Sequence, residues 1–262
     1  MIKTLNVEKI NINNQNAKDL FSIAFKEKAE NTNILFATLL KESLHLTLNI
    51  NNEIASQLFL IESEIILDKA YPIYYLYAAA TKPKFQGKGY MHELIDFAKN
   101  IVVKNNKYGI VLKPANEGLF KFYASCGFNK ILYSNIYEYN AKDCKTIFNE
   151  ISANKYLEIR EKLLKNTPHI VLKKVLEDGI NNHYHIFGDE NSLTLAEKYT
   201  DNDIAYIAEH LGDNSSLNFA LKTLGCSKAM VKTVGENTAF SVIWLNNIKE
   251  PRYNIYHGPC FE

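Results

Sequence analysis

The chain has 262 residues, with 30 Lys+Arg against 29 Asp+Glu and a formal net charge of +1. That near-balance gives no bulk-charge reason to expect a polyanionic partner, and no basic stripe with interleaved aromatics stands out, so nucleic acid is not an expected partner. A hydrophobic content of 47% is enough to build a core in one large domain or two modest ones. Cys126, Cys144, Cys226 and Cys260 are widely scattered, with no Cys-x-x-Cys. They read as reduced thiols rather than metal ligands or disulfides. The opening Met1-Ile-Lys-Thr-Leu-Asn-Val lacks the apolar core of a secretion signal, and the apolar run 70–80 is too short to span a bilayer. No membrane partner and a cytoplasmic location are the expectations.

Residues 14–43 read as two helices, since Ala17, Leu20, Phe21, Ala24 and then Ile34, Leu35, Leu39 recur near helical spacing, with a break around 30–33. Residues 45–51 alternate as a strand that ends at the turn Asn51-Asn52. A second strand follows at 54–67, with Gln57, Glu62 and Glu64 among its polar positions. Residues 71–81 are apolar on both faces, as expected of a central strand covered on both sides. The chain then breaks at Pro83 and runs through Gln86-Gly87-Lys88-Gly89-Tyr90-Met91 into a helix at 90–104. Met91, Leu94, Ile95, Ala98 and Val102 give that helix its apolar face.

A buried strand, a glycine-bearing loop and a helix start together point several backbone N–H groups and the positive helix end at one spot, which suits a phosphate. Gly87 and Gly89 permit close backbone approach, and Lys88 adds a mobile positive charge. The dinucleotide fingerprint would need a third glycine where His92 stands, and the nucleotide-triphosphatase loop would need Ser or Thr where Gly89 stands. Neither fits. Further on, residues 108–113 read as a strand and 118–125 as a short helix. Gly127 can supply a left-handed C-cap against which Phe128 packs, and 131–139 read as a closing strand.

Gln86-Gly87-Lys88-Gly89-Tyr90-Met91 resembles the Gln/Arg-x-x-Gly-x-Gly/Ala signature of the GNAT superfamily of acetyl-CoA-dependent N-acetyltransferases, departing from it at Met91. Asn116-Glu-Gly-Leu-Phe-Lys-Phe122-Tyr123-Ala-Ser-Cys-Gly127-Phe128 is similar to the family's second motif, with Leu119 and Phe122 replacing its alanine and leucine. Ala79-Ala80-Thr81 resembles the pantetheine-pairing segment. The resemblance implies an α+β fold, a three-layer α/β/α sandwich with a central mixed sheet, in which two parallel strands splay to admit the pantetheine arm. It implies an acetyl-CoA-dependent N-acetyltransferase acting by direct transfer to a small-molecule or peptide amine; the alternative is a non-catalytic CoA-binding module. In that comparison, Ala79, Ala80 and Thr81 hold the pantetheine, and the amides of Gly87 to Met91 bind the pyrophosphate with help from Gln86 and Lys88. Asn116 either bonds the pantetheine or caps the short helix. Tyr123 corresponds to the tyrosine that protonates the departing CoA sulfur. Residues 14–43 would lie beside the acceptor cleft.

The general base is left open. Glu62 and Glu64 are candidates through water, against a reading as solvated strand-face carboxylates. Tyr74, Tyr75 and Tyr77 read as core or cleft wall, His92 as an exposed first-turn residue and Cys126 as a packing residue rather than a nucleophile. His183 and His185 share a strand face without a third metal ligand, so no metal is expected.

The expected organisation is an acetyltransferase domain at 1–140, a charged helical linker at 141–168 and a smaller α+β half at 169–262; a homo-oligomer is left open. In the second half, 183–187 and 192–196 read as strands paired about a turn, 203–211 and 216–224 as helices, and 239–245 as a strand. Residues 217–228 echo 119–130: a leucine, a glycine and a final lysine recur at one offset of 98. This second half is either a degenerate copy of the acyltransferase module or an unrelated α+β cap.

Overall fold

The structure is a computed structural model that describes residues 2–172, 183–197, 203–248 and 254–259. The fold is α+β with a mixed sheet, and eleven strands fall among the described residues. The chain divides into two compact units that are interleaved in sequence. Unit 1 comprises Met1–Glu64, Tyr71–Lys130 and Val242–Lys249; unit 2 comprises Ile65–Ala70, Ile131–Ser241 and Glu250–Glu262.

Unit 1 contains β1 (Lys3–Lys9), α1 (Gln15–Phe25), α2 (Ala29–Ala37), β2 (Leu44–Ile50), β3 (Glu53–Ile66), β4 (Ala70–Thr81), a 3₁₀ turn at Pro83–Phe85, α3 (Tyr90–Lys104), β5 (Gly109–Leu112) and α4 (Glu117–Ser125). Its strands lie in the order β1-β2-β3-β4-β5. β1 and β2 pair antiparallel, as do β2 and β3, whereas β4 and β5 pair in parallel. A parallel pair needs a crossover, and α3 supplies it. Alternation along the strands builds two cores. Leu46, Leu48, Leu58, Leu60, Tyr74, Leu76, Ile110 and Leu112 pack with Leu94, Ile95, Ala98 and Val102 of α3. Each Leu, Ile or Val side chain so removed from water contributes roughly 1.5–3 kcal/mol. On the other face, Gln57 reaches the carbonyl of Ala17 in α1 (3.0 Å), and Phe36 of α2 meets Phe59 of β3 edge-on (5.6 Å). Helices thus cover both faces of the unit 1 sheet.

The break between the first two helices falls earlier than expected. Lys26 takes a left-handed conformation (φ 54) as the C-cap of α1, and 30–33 lie inside α2. Tertiary contact overrides the weak helix propensity of this Asn/Thr run: Thr32 is buried and its hydroxyl meets that of Ser22 at 2.9 Å. The edge strand β1, mostly exposed, was not apparent in the sequence.

Unit 2 contains β6 (Lys130–Asn140), α5 (Ala153–Leu163), β7 (His169–Val171), β8 (Tyr184–Gly188), β9 (Ser192–Glu197), β10 (Ile204–Gly212) and α6 (Ser215–Leu224). The last strand, β11 (Lys228–Leu245), begins in unit 2 and ends in unit 1, where Val242–Leu245 pair antiparallel with β5. β6, expected to close the first domain, pairs with β11 instead, and the edge of β5 is covered by Val242–Leu245. Within unit 2, β8 and β9 are antiparallel, β9 and β10 antiparallel, and β10 and β11 parallel.

The helix expected at 203–211 is a strand. Ile204, Ala205, Ile207, Ala208 and Leu211 satisfy a helical period, yet a buried strand accepts the same set. Pairing on both sides, to β9 and to β11, decides for the strand. Of the charged helical linker expected at 141–168, only Ala153–Leu163 is an α-helix. Among the described residues, no helix is long and apolar enough to cross a membrane. Cys260 lies outside the described residues.

Candidate active site

β4 delivers the chain to the site. Its parallel pairing with β5 is confined to Tyr74↔Ile110 and Tyr75↔Val111. Three residues later Ala78 adopts φ 52, a conformation that costs a non-glycine residue about 1 kcal/mol or more. A left-handed residue therefore sits within β4, just before Ala79-Ala80-Thr81. The Thr81 end is held by three bonds: Thr81 Oγ1 to Ser56 Oγ (2.9 Å), the Lys82 amide to the Ala55 carbonyl (2.9 Å), and Gln86 Nε2 to the Thr81 carbonyl (3.2 Å). Gln86 thus braces the loop against the strand it leaves.

Gly87 (φ 72) and Gly89 (φ 77) are both left-handed, and a Cβ added at either would meet no atom within 4 Å. The loop is open, not packed. Gly89 is the N-cap of α3 and offers no side-chain cap, so the first-turn amides of Tyr90, Met91 and His92 have no intrahelical acceptor. Two of the three nearby lysines are already paired: Lys82 (3.0 Å) and Lys84 (2.7 Å) both bond Glu53. Those two ammonium groups, Lys84 first, hold the Glu53 carboxyl below the usual carboxylate range. Lys88 has no carboxylate partner among the described residues and lies 5.4 Å from the centre of the Phe85 ring. Tyr90 and Met91 lean into the core beneath the helix; the longer side chain at 91 is accommodated there. His92 bonds Ser125 Oγ (2.9 Å) and rests its ring on Phe122, tying α3 to α4.

Asn116 is the N-cap of α4, its side-chain oxygen accepting the Leu119 amide at 3.2 Å. Tyr123 follows on that helix, 7% exposed and flanked by Phe122 and Phe128. No described group hydrogen-bonds its hydroxyl. Burial first, then the neighbouring Cys126, pushes it up to about 12, so it holds its proton at any physiological pH. Burial also pushes the Cys126 thiol up, against the pull of Lys99, which leaves it a poor nucleophile.

The structure does not bring Glu62 and Glu64 to the loop. Glu62 pairs with Lys107 (3.0 Å), beyond the C-terminal end of α3, whereas Gly89 sits at the N-terminal end. Fifteen helical residues separate those ends by about 22 Å. Glu64 lies further along the same strand and is exposed. Sequence reasoning passed over a different carboxylate. Glu27, just past α1, accepts from Asn31 Nδ2 (2.7 Å) and from the Lys28 amide (3.0 Å), and these bonds hold its carboxyl low. Tyr77, the residue before Ala78, lies within its field. Burial, then the Glu27 charge, pushes that hydroxyl up to about 12. Tyr77 also faces Phe21 of α1 (6.5 Å). No spacing rule links Glu27 to Tyr77, so only the fold reveals the pair.

A strand that parts from its parallel neighbour, an open glycine loop and an uncapped helix start thus follow one another along this α+β fold. Residues 12–131 match the family described as Acetyltransferase (GNAT) domain. Among solved structures, the chain is similar to a probable N-acyltransferase from Enterococcus faecalis V583 (TM-score 0.70, 13% identity, 92% of this chain and 73% of that one). It is similar to a GCN5-related N-acetyltransferase from Anabaena variabilis ATCC 29413 (TM-score 0.72, 13% identity, 92% and 72%). A tandem GNAT protein from the clavulanic acid biosynthesis pathway is matched over 94% of this chain and 100% of that one (TM-score 0.56, 10% identity). Identities this low speak for fold alone. No curated protein matches the chain.

Proposed function

We propose that unit 1 is an acetyl-CoA-dependent N-acetyltransferase that passes the acetyl group directly to an amine. The observation that carries this reading is the open pair Gly87 and Gly89 at the uncapped start of α3, which leaves a cradle of amides for a diphosphate. When bound, acetyl-CoA supplies an activated thioester. The chain's own groups supply the rest. The amides of Gly87 to Met91 and the Lys88 ammonium hold the diphosphate, while Gln86 fixes the loop through Thr81. Backbone groups at Ala79 to Thr81, past the left-handed Ala78, take the pantetheine arm and polarise the thioester carbonyl.

The neutral amine forms an N–C bond to the carbonyl carbon as the C–S bond breaks. A cationic amine first gives one proton to solvent to become that nucleophile. The proton of Tyr123 goes to the departing sulfur, and the surplus proton of the acylated nitrogen leaves to solvent, from which the Tyr123 phenolate is reprotonated. A tyrosine pushed up to about 12 is a proton donor, not a base, near neutrality. Asn116 is committed through its oxygen to the helix cap, which leaves only its amide nitrogen for the cofactor. Glu27, kept ionised beside Tyr77, is better placed than Glu62 or Glu64 to collect a cationic amine. The acceptor belongs to the class of small-molecule or peptide amines.

The test combines calorimetry with coenzyme A and a thiol-release assay over a panel of amines. Tight binding with amine-dependent release of free thiol is the expected result. Binding with no thiol release for any amine would reduce unit 1 to a CoA-binding module.

A further inference from the structure

We propose that unit 2 is a second copy of the same acyltransferase core whose cofactor groove is filled by the protein's own groups, so that the chain has one coenzyme A seat, not two. The order of elements is the first observation. In unit 1, β2, β3 and β4 are followed by the crossover helix α3 and the parallel strand β5. In unit 2, β8, β9 and β10 are followed by the crossover helix α6 and the parallel strand β11. The central strands share a second feature. Parallel pairing of β10 with β11 stops at Ile207↔Val231, and the register of β10 against β9 shifts between Ile207 and Glu209. In β4 the parallel pairing stops at Tyr75, and Ala78 takes a left-handed conformation within the strand. Both copies then reach their helix through a left-handed glycine, Gly212 in unit 2. The sequence echo at an offset of 98 pairs α6 with α4, but the topology pairs α6 with α3; a cofactor loop was therefore not visible in the echo.

What fills the second groove is equally specific. At the start of α6, the amide of Ser215 donates to Asp213 Oδ1 (2.9 Å) and that of Ser216 to Ser192 Oγ (3.0 Å). A carboxylate thus stands where the first copy offers Lys88 and bare amides. Ser192, Thr194, His210, Asn214 and Ser216 form a closed network behind it. A Cβ on Gly212 would collide with the backbone carbonyl of Asn191, whereas Gly87 and Gly89 face open space.

Beyond the point where β10 and β11 part, Thr233 Oγ1 bonds the His210 carbonyl at 2.6 Å and stitches the gap. Glu209, one residue past the register shift, is fully buried. It receives the hydroxyls of Tyr156 and Tyr256 and Arg160 Nε (3.0 Å). Residues 255–258 lie in the same place: a Cβ on Gly258 would strike the Glu209 carboxylate and Arg160. A pantetheine arm would have to displace a satisfied buried ion pair, and breaking such a pair is strongly unfavourable.

Residue-resolved hydrogen exchange on the whole chain, with and without coenzyme A, tests this together with the binding stoichiometry. In the free protein the Ser215 and Ser216 amides should exchange slowly and those of Gly89 to His92 fast. Coenzyme A should slow the second set only, at one molecule per chain. Asp213→Ala should speed Ser215 exchange by about fivefold, the loss expected for one capping bond. Two molecules per chain, or slowing at 213–216 on addition of coenzyme A, overturns the proposal. If coenzyme A changes nothing at the glycine loop, the transferase reading of unit 1 fails instead. The free-protein rates then decide the proposal: slow Ser215 and Ser216 amides uphold it, and fast ones overturn it.

Discussion

At the scale of single residues, Tyr123 and His45 carry the sharpest expectations. Tyr123 loses its hydroxyl but keeps its ring contacts in Tyr123→Phe, so packing against Phe122 and Phe128 survives. If it protonates the leaving sulfur, kcat should fall about 100-fold with KM for acetyl-CoA nearly unchanged. Equal loss in both constants would make it a scaffold residue. His45 is buried with Nδ1 unbonded and Nε2 3.2 Å from Gln57 Oε1, its ring stacked on Phe59. Burial lowers it to about 4, although the Gln57 bond pulls the other way. Its folded value lies below its ordinary one, so the stability from neutral His45 is complete above pH 6.5. It is lost as pH falls from 6.5 through 4, about 3 kcal/mol in all. Urea unfolding at pH 7.5 and 4.5 should show a smaller drop in His45→Gln than in the unaltered chain. Parallel drops would mean that His45 already carries its proton in the folded state. Neither His45's burial nor Glu27's nearness to Tyr77 was legible in the sequence, because both depend on which strand face the α1–α2 pair covers. The Asn116 cap was legible because cap and helix lie within one short segment, which also carries Tyr123.

Among the elements, local signals sufficed wherever one period excluded the others. The apolar stripe of α3 and the glycines before it specified both the helix and its open N-terminus, and the structure has α3 at Tyr90–Lys104. Residues 203–211 failed for the opposite reason: an apolar set compatible with two periods is decided only by neighbours in space. The glycine loop also separates binding from stability. Glu at position 89 would bear φ 77, a cost of about 1 kcal/mol, but would place a carboxylate at a helix start, a gain of roughly 0.3–1 kcal/mol. The two nearly cancel, so Gly89→Glu should melt within a few degrees of the unaltered chain. Its side chain would nevertheless fill the diphosphate cradle with like charge, and coenzyme A affinity should fall at least about 100-fold. Calorimetry beside a melting curve separates the two effects. A large fall in melting temperature with binding retained would show that the glycine serves packing rather than the cofactor.

On the scale of the whole molecule, the interleaving of the units is what no local pattern announced. Residues 239–245 looked like an ordinary late strand, yet β11 runs for 18 residues, and its end, Val242–Leu245, pairs with β5. Without it, β5 would present an unpaired edge of four buried residues, Gly109–Leu112, a template for aggregation. Trp244 adds a second tie, its ring 5.4 Å from the Lys99 ammonium, which in turn bonds the Cys126 carbonyl at the turn after α4. The loss therefore reaches the helix that bears Tyr123. A fragment of residues 1–130 should accordingly aggregate or bind coenzyme A weakly, although it contains every motif of the proposed cofactor site. Joining residues 242–249 to it through a flexible linker should restore a monomeric species, a cooperative melt and binding. Size-exclusion chromatography and calorimetry on the two fragments distinguish the outcomes. If residues 1–130 alone are monomeric and bind as tightly as the full chain, β5 does not need the late strand. The interleaving would then be a consequence of chain path and not a condition of the fold.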